Sequence, residues 1–233
     1  MRGGRGYETE QSLAERGETP FPVERAMRDY RINLIFEGSS EIMHLFMARE
    51  AVDKHLQVAG AMIDPDKGFG AKLAALPKMA LFYAGWYPTR WIGWGRWPRY
   101  AGFKSLAPHL RFAERATRKL AREIFHGMIV HKAKLQRRQA FLFRSVDVAM
   151  EIFAMAACIS RVRTMREERH ANAAQAAELA DLFCRNARRK IQRLFKDLWN
   201  NDDVAKYRVG QSVLSGKHVW FEADTMGARP HRK

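Results

Sequence analysis

A glutamate at position 37 stands between the mostly apolar run Ile32–Phe36 and Gly38. A carboxylate beside apolar side chains loses hydration, which raises its pKa towards the range useful for a general base. The residues that follow, from Ser39 onwards, favour a helix whose N-terminal amides and dipole would face the same loop and form an anion site. From the residues alone, a desolvated base and an exposed glutamate at a helix start both stay open.

A second candidate site is the glycine-rich tetrapeptide Gly3-Gly4-Arg5-Gly6. Glycine allows a ligand to approach the backbone closely, and exposed N–H groups suit a phosphate. The same pattern is also found in plain turns, so this segment does not define a site without further support.

Three segments together resemble the C-terminal signature of the acyl-CoA dehydrogenases: Gly3–Tyr7, Val23–Ile32 and Ile35–Ile42. In that family the pattern runs glycine-glycine-x-glycine-aromatic, then valine-glutamate-basic and arginine-aspartate-x-x-isoleucine, then aromatic-glutamate-glycine-threonine. The stretch Thr9–Phe21 is longer here than the family's usual connection. The combination of all three segments is highly specific.

The resemblance implies a role for five residues. Glu37 matches the catalytic base, which abstracts the α-proton of an acyl-CoA thioester while a hydride leaves the β-carbon for flavin N5, giving a trans-2-enoyl-CoA. Gly38, Ser39 and Glu41 match positions that touch the FAD, with serine in place of the commoner threonine. Gly4 matches a glycine that touches the FAD of the neighbouring subunit. The implied process is fatty acid β-oxidation.

The resemblance also implies that these 233 residues hold only part of the FAD site. In the family, an N-terminal helical domain and a middle β-domain hold the flavin ring and much of the substrate pocket. The first fifty-odd residues correspond to the end of the third, helical domain, and a base without a flavin has no hydride acceptor. We therefore expect no dehydrogenase activity from this chain alone.

The elements that position these residues are predicted to be helices. A helix is expected to start near Ser39, with Gly38 as N-cap and Glu41 at its third position, and to fade near Gly60. Pro108 opens the first of three amphipathic segments of about 25–30 residues, which predict an antiparallel bundle. The predicted class is all-α, with divisions at residues 1–60, 61–104 and 105–233.

Residues 106–226 resemble the extra C-terminal helical domain of the very-long-chain acyl-CoA dehydrogenases, most clearly from Ile129 to Arg161. The resemblance implies a homodimer and membrane association. Hydrophobic residues make up 47% of the sequence and charged residues 28%, which excludes a disordered chain. The sequence contains no run of 18 apolar residues, so it predicts no membrane-spanning helix.

The cysteines and histidines predict no metal site. Cys158 and Cys184 lie in helical segments outside any metal-binding or redox motif, which favours small buried side chains and a reduced, cytoplasmic environment. His126 and His131 are five residues apart, the wrong spacing for two ligands on one helical face.

The net charge is +16, and one segment, residues 68–104, combines cations with aromatic rings. No acidic residue lies between Asp66 and Glu114, and four of the six tryptophans fall within twelve residues. Indole rings and basic side chains favour an anionic membrane surface, and the glycines and prolines predict short pieces lying in the interface. The predicted contacts are Trp86, Trp91, Trp94, Trp97, Arg90, Arg96 and Arg99.

Two alternatives for this segment stay open. In the first, the segment is a buried aromatic loop in the core or at a subunit contact. In the second, it binds single-stranded nucleic acid, which no motif supports. For the whole chain, the first hypothesis is that it forms part of an FAD-dependent acyl-CoA dehydrogenase, and that this protein is bound peripherally to the inner membrane face. The second is a non-catalytic helical module for membrane or subunit association.

Overall fold

The chain is described by a computed structural model over residues 3–36, 38–64, 66–93 and 100–221. The described residues contain α-helices, three short 3-10 helices and no strand, which confirms the all-α prediction. The α-helices are α1 (Glu10–Glu15), α2 (Val23–Asn33), α3 (Ser40–Ile63), α4 (Phe69–Ile92), α5 (Ala107–His131), α6 (Gln139–Glu167), α7 (Ala173–Asp197) and α8 (Asp203–Leu214). The 3-10 helices are Gly3–Gly6, Ala101–Leu106 and Lys132–Arg137.

Helices α5, α6 and α7 form the antiparallel bundle that the sequence predicts. Gly127, near the end of α5, lies against the ring of Phe141, near the start of α6. Lys190 of α7 donates a hydrogen bond of 2.5 Å to Glu151 of α6, and the ring centroids of Trp199 and Phe141 lie 5.3 Å apart. Residues late in α7 therefore meet residues early in α6, as antiparallel packing requires.

The core of the bundle comes from small and branched side chains at helical spacing. Ile159 of α6 and Cys184 and Ile191 of α7 are fully buried. Full burial of an isoleucine side chain contributes roughly 1.5–3 kcal/mol. Burial also raises the pKa of the Cys184 thiol to about 11, so this cysteine is an inert core residue, as the sequence predicts.

Helices α3 and α4 pack on one side of the bundle. The buried Ala48 of α3 belongs to the bundle core. An aromatic cluster joins α4 to α3 and α5: the ring of Tyr83 lies 5.8 Å from His55 and 4.8 Å from Phe125, and Trp86 packs edge-on against His55 at 4.7 Å. By contrast, α2 buries none of its residues.

The expectation of several short pieces in residues 68–104 is wrong for α4, which runs unbroken from Phe69 to Ile92 with Pro77 and Pro88 inside it. A proline removes one backbone hydrogen bond and disfavours the helical conformation of the preceding residue. Both prolines are exposed to solvent, while the aromatic residues on the opposite side hold the helix against its neighbours. Tertiary packing therefore outweighs the two breakers.

Candidate functional site

The N-terminus of α3 brings together three of the predicted FAD-binding residues, Gly38, Ser39 and Glu41. The helix begins one residue later than expected: Ser39, not Gly38, is the N-cap, and Glu41 lies at the second helical position. The hydroxyl of Ser39 makes no capping hydrogen bond. It is therefore available to a ligand, beside amides that carry the positive end of the helix dipole.

Gly38 has a backbone conformation that requires glycine. Its φ is +97°, a region that residues with a side chain rarely adopt, and an added Cβ would lie 3.2 Å from Sδ of Met43. Glycine is therefore required just before the N-cap of α3, where the side chain of Met43 lies close to the backbone.

Glu37, the predicted catalytic base, lies outside the described residues. Its preceding neighbours Leu34, Ile35 and Phe36 are 59%, 67% and 45% exposed. The packing of these three residues therefore does not provide the expected apolar surroundings.

Gly4 lies apart from α3, in the exposed 3-10 turn Gly3–Gly6. Ion pairs of Arg5 with Glu18 and of Arg16 with Glu8 tie this turn to α1 and its flanking residues. No atom lies within 4 Å of where a Cβ on Gly4 would be, so its backbone is open to a large ligand. The geometry is compatible with the predicted contact across a subunit boundary.

A histidine that the sequence analysis did not select connects the start of α3 to the bundle. Nδ1 of His44 lies 2.5 Å from the Ser40 carbonyl, and Nε2 lies 3.1 Å from a carboxylate oxygen of Asp147 on α6. Burial opposes the charge, but these two hydrogen bonds, together with the negative charges of Asp147 and Glu41, outweigh it and raise the pKa of His44 above its usual value. Because both partners are acceptors, only the doubly protonated ring satisfies both.

The predicted membrane residues fall into two groups. Trp94, Trp97, Arg96 and Arg99 lie outside the described residues, whereas Trp86, Arg90 and Trp91 belong to α4. Trp86 is half-buried in the aromatic cluster, and the guanidinium of Arg90 lies 5.4 Å from its ring. Trp91 is 56% exposed, with the guanidinium of Arg122 stacked on it at 3.9 Å. Of these three residues, Trp91 has the surface for an external contact.

The outer surface of α4 is almost entirely apolar. Along this helix, which is described from end to end, Lys78 is the one charged residue whose side chain is exposed. The large exposed residues are Phe69, Leu73, Leu76, Leu81, Trp91 and Ile92. None of the described helices combines the length and apolar character needed to cross a bilayer.

Two family models match the sequence. The model "Acyl-CoA dehydrogenase, C-terminal domain" covers residues 1–52, which include the α3 N-terminus, and the model "ACAD9/ACADV, C-terminal domain" covers residues 104–216, which include the bundle. These matches place the chain in the acyl-CoA dehydrogenase family, in the part that forms the C-terminal region of its members.

Individual relatives agree with this placement. The chain is 48% identical over 223 residues to the "Probable acyl-CoA dehydrogenase FadE10" of Mycobacterium tuberculosis, a match that covers 95% of this chain and 34% of that protein. It is 29% identical over 188 residues to the human "Very long-chain specific acyl-CoA dehydrogenase, mitochondrial", covering 77% and 28%. The chain thus spans about a third of the length of these curated relatives.

Proposed function

We propose that the chain is the C-terminal part of an FAD-dependent acyl-CoA dehydrogenase that converts acyl-CoA to trans-2-enoyl-CoA in fatty acid β-oxidation. The observation that carries the proposal is the match over residues 1–52, in which the signature around Glu37 directly precedes the open N-terminus of α3. The assembled enzyme is a homodimer, in which Gly4 reaches the FAD of the neighbouring subunit.

The residues at the start of α3 fit an FAD. Ser39 has a hydroxyl that is not used for capping, and Gly38 before it has no side chain of its own to obstruct a ligand. The first amides of α3 suit the pyrophosphate. The carboxylate of Glu41 is repelled by a phosphate, so it suits a ribose hydroxyl, to which it accepts a hydrogen bond.

Glu37 is the group that moves a proton. Its carboxylate takes the proton from the α-carbon of the thioester as that C–H bond breaks, and the electron pair becomes the new α,β double bond. The FAD, when bound, supplies the acceptor for the hydride that leaves the β-carbon. The apolar residues 34–36 exclude water once the loop is covered, which keeps the carboxylate basic.

The test is Glu37→Gln in an enzyme that joins this chain to its flavin- and substrate-binding domains. Glutamine keeps the shape of glutamate but cannot take a proton, so acyl-CoA oxidation with a dye acceptor should fall by ~10²–10⁴-fold. Glu50→Gln, at an exposed position on α3, is the matched control and should keep full activity. Near-normal turnover of Glu37→Gln would exclude Glu37 as the base.

A second candidate function is peripheral attachment to an anionic membrane, and the apolar outer surface of α4 favours it. A large uncovered apolar surface on a protein of net charge +16 suits a lipid interface, where apolar side chains enter the acyl boundary and cations meet anionic headgroups. In this proposal α4 lies flat on the inner membrane face and Trp91 inserts at the headgroup level. Attachment of this kind is compatible with the dehydrogenase proposal.

A further inference from the structure

A pocket of about 510 Å³ lies between the end of α4, the first half of α5 and the middle of α6. One wall is apolar, formed by Leu110, Ala113, Ile152 and Ala156. The lining also carries two cations, Arg90 and Arg118. The pocket is distinct from the start of α3, where the predicted FAD contacts lie.

Arg118 is a buried cation with an incomplete set of partners. Its side chain is 14% exposed, and its Nη1 atom is buried without a hydrogen-bond partner. Its Nη2 atom lies 3.8 Å from a carboxylate oxygen of Glu114, too far for a hydrogen bond. A buried charge with an unsatisfied donor is costly, which calls for an additional acceptor in the pocket.

The surrounding side chains do not supply that acceptor. The Glu114 carboxylate is shared, because it also accepts a hydrogen bond of 3.4 Å from the Tyr100 hydroxyl. Arg90 adds a second cation, so the two arginines in the described lining outnumber its one carboxylate.

Other polar groups of the lining are already engaged. The hydroxyls of Thr89 and Thr117 donate to the carbonyls of Trp86 and Ala113 in their own helices. In the described lining, Nε and Nη2 of Arg90 also donate to the Thr89 hydroxyl, whereas Nη1 of Arg118 has no acceptor.

Backbone geometry keeps this guanidinium in place. Gly93 ends α4 with a φ of +71°, and a Cβ on it would collide with Nη1 of Arg118. Any residue other than glycine would push the guanidinium out of its position. The chain thus leaves room for this group at the point where α4 ends.

We propose that this pocket binds a phosphate group through Arg118. A guanidinium presents paired donors in the planar geometry that phosphate oxygens accept, and the excess positive charge of the lining favours an anion. The apolar wall next to it accommodates a hydrocarbon substituent on the phosphate. Lipid headgroups and water-soluble phosphate esters share this chemistry. The proposal depends neither on the dehydrogenase activity nor on membrane attachment through the outer surface of α4.

The test uses the 233-residue chain and two probes, inorganic phosphate and dihexanoyl phosphatidic acid below its micellar concentration. Thermal unfolding by circular dichroism and ³¹P line broadening report binding. The variants are Arg118→Met and Arg115→Met, which carry the same net charge, with Arg115 exposed on the same helix. We expect wild type and Arg115→Met to bind, and Arg118→Met to bind at least tenfold more weakly.

The two probes distinguish a lipid headgroup from a water-soluble phosphate as the ligand. Binding of both probes assigns a general phosphate site, and binding of phosphatidic acid alone assigns a lipid headgroup. Without either probe, Arg118→Met should be at least as stable as wild type, because it removes a buried donor that has no acceptor. Equal binding by Arg118→Met and Arg115→Met, absence of binding by wild type, or clear destabilisation of probe-free Arg118→Met would overturn the proposal and leave Arg118 as a structural partner of Glu114.

Discussion

His44 shows how one side chain can couple two parts of the sequence that different family models match. It lies one turn into the helix that carries the predicted FAD contacts, and its partner Asp147 belongs to the bundle 103 residues later. The i,i+4 spacing of Ser40 and His44 is visible in the sequence, but a pairing over such a distance is not. Viewed in the sequence, His44 is therefore isolated, and its role depends on the packing of α3 against α6.

This pair predicts a pH dependence of stability. The charged groups around the ring are Asp147 on α6 and Glu41 on α3, while Arg144, which also influences Asp147, is paired with Asp203. The pKa of His44 is raised above 6.5, its value when unfolded. The stability that the cation contributes is fully present below that pKa and is lost as the pH rises through the higher, folded-state pKa.

The measurement is urea unfolding at pH 5.5 and 8.5, with the His44 ring titrated by NMR. Wild type should lose stability between these pH values, and Asp147→Asn should lose less, because one acceptor no longer carries a charge. Asp202→Asn, an exposed carboxylate that makes no capping bond, is the control and should behave as wild type. An unchanged pH dependence in Asp147→Asn would show that the pair does not couple the two parts.

At the scale of elements, the sequence predicts α5, α6 and α7 well and α4 poorly. The three bundle helices bury apolar residues at steps of three and four, as Ala180, Cys184, Ala187 and Ile191 do in α7. In α4 the residues that pack inward are aromatic and the breakers face outward, so composition alone indicates an irregular segment. What keeps α4 helical is the contact of its rings with α3 and α5, which no local pattern encodes.

The close approach of α5 and α6 gives a prediction about stability. A Cβ on Gly127 would lie 2.5 Å from the ring of Phe141, which is itself buried. Gly127→Ala should therefore lower the free energy of unfolding by ~1–3 kcal/mol through overpacking. Gly210→Ala in α8, where a Cβ meets nothing within 4 Å, should instead raise it by roughly 0.5–1 kcal/mol. Urea unfolding of both variants measures these changes. If Gly127→Ala were more stable than wild type, α5 and α6 could move apart at no cost and the overpacking prediction would be wrong.

The outer surface of α4 gives a prediction about membrane binding. The chain should co-sediment with liposomes that contain anionic lipid, and binding should weaken at high salt, because each basic residue near such a surface contributes about 1 kcal/mol that ions screen. Changing Leu73, Leu76 and Trp91 to serine should abolish binding. Trp86 is unsuitable for this test, because its half-buried ring holds α4 against α3 and α5.

The matched control changes Leu179 and Leu182 to serine, since both are exposed apolar residues on α7. This variant should bind liposomes as wild type does. If the α4 variant remains folded and binds equally well, the apolar surface of α4 covers a protein contact, such as the second copy in a dimer. Loss of binding in the α7 variant alone would move the membrane contact to the bundle.

At the scale of the whole molecule, none of the predicted FAD residues belongs to the buried helical core. Gly4 lies in an exposed turn, Gly38 and Ser39 are half-buried at the start of α3, and the residues 34–36 that should shield the base are exposed. Sequence resemblance, and not the shape of a pocket, is what identifies these residues.

This arrangement predicts that the purified 233-residue chain is colourless. The predicted FAD residues offer a few polar contacts, and the exposed residues 34–36 offer no apolar enclosure for the flavin ring, whereas affinity for such a ligand depends on burying most of its surface. Titration of the chain with FAD should show neither quenching of flavin fluorescence nor a rise in melting temperature. The same titration with an enzyme that joins the chain to flavin-binding domains should show both effects. A yellow preparation of the chain with stoichiometric FAD would mean that these residues close around the flavin on binding, and that the exposed residues 34–36 form part of that enclosure.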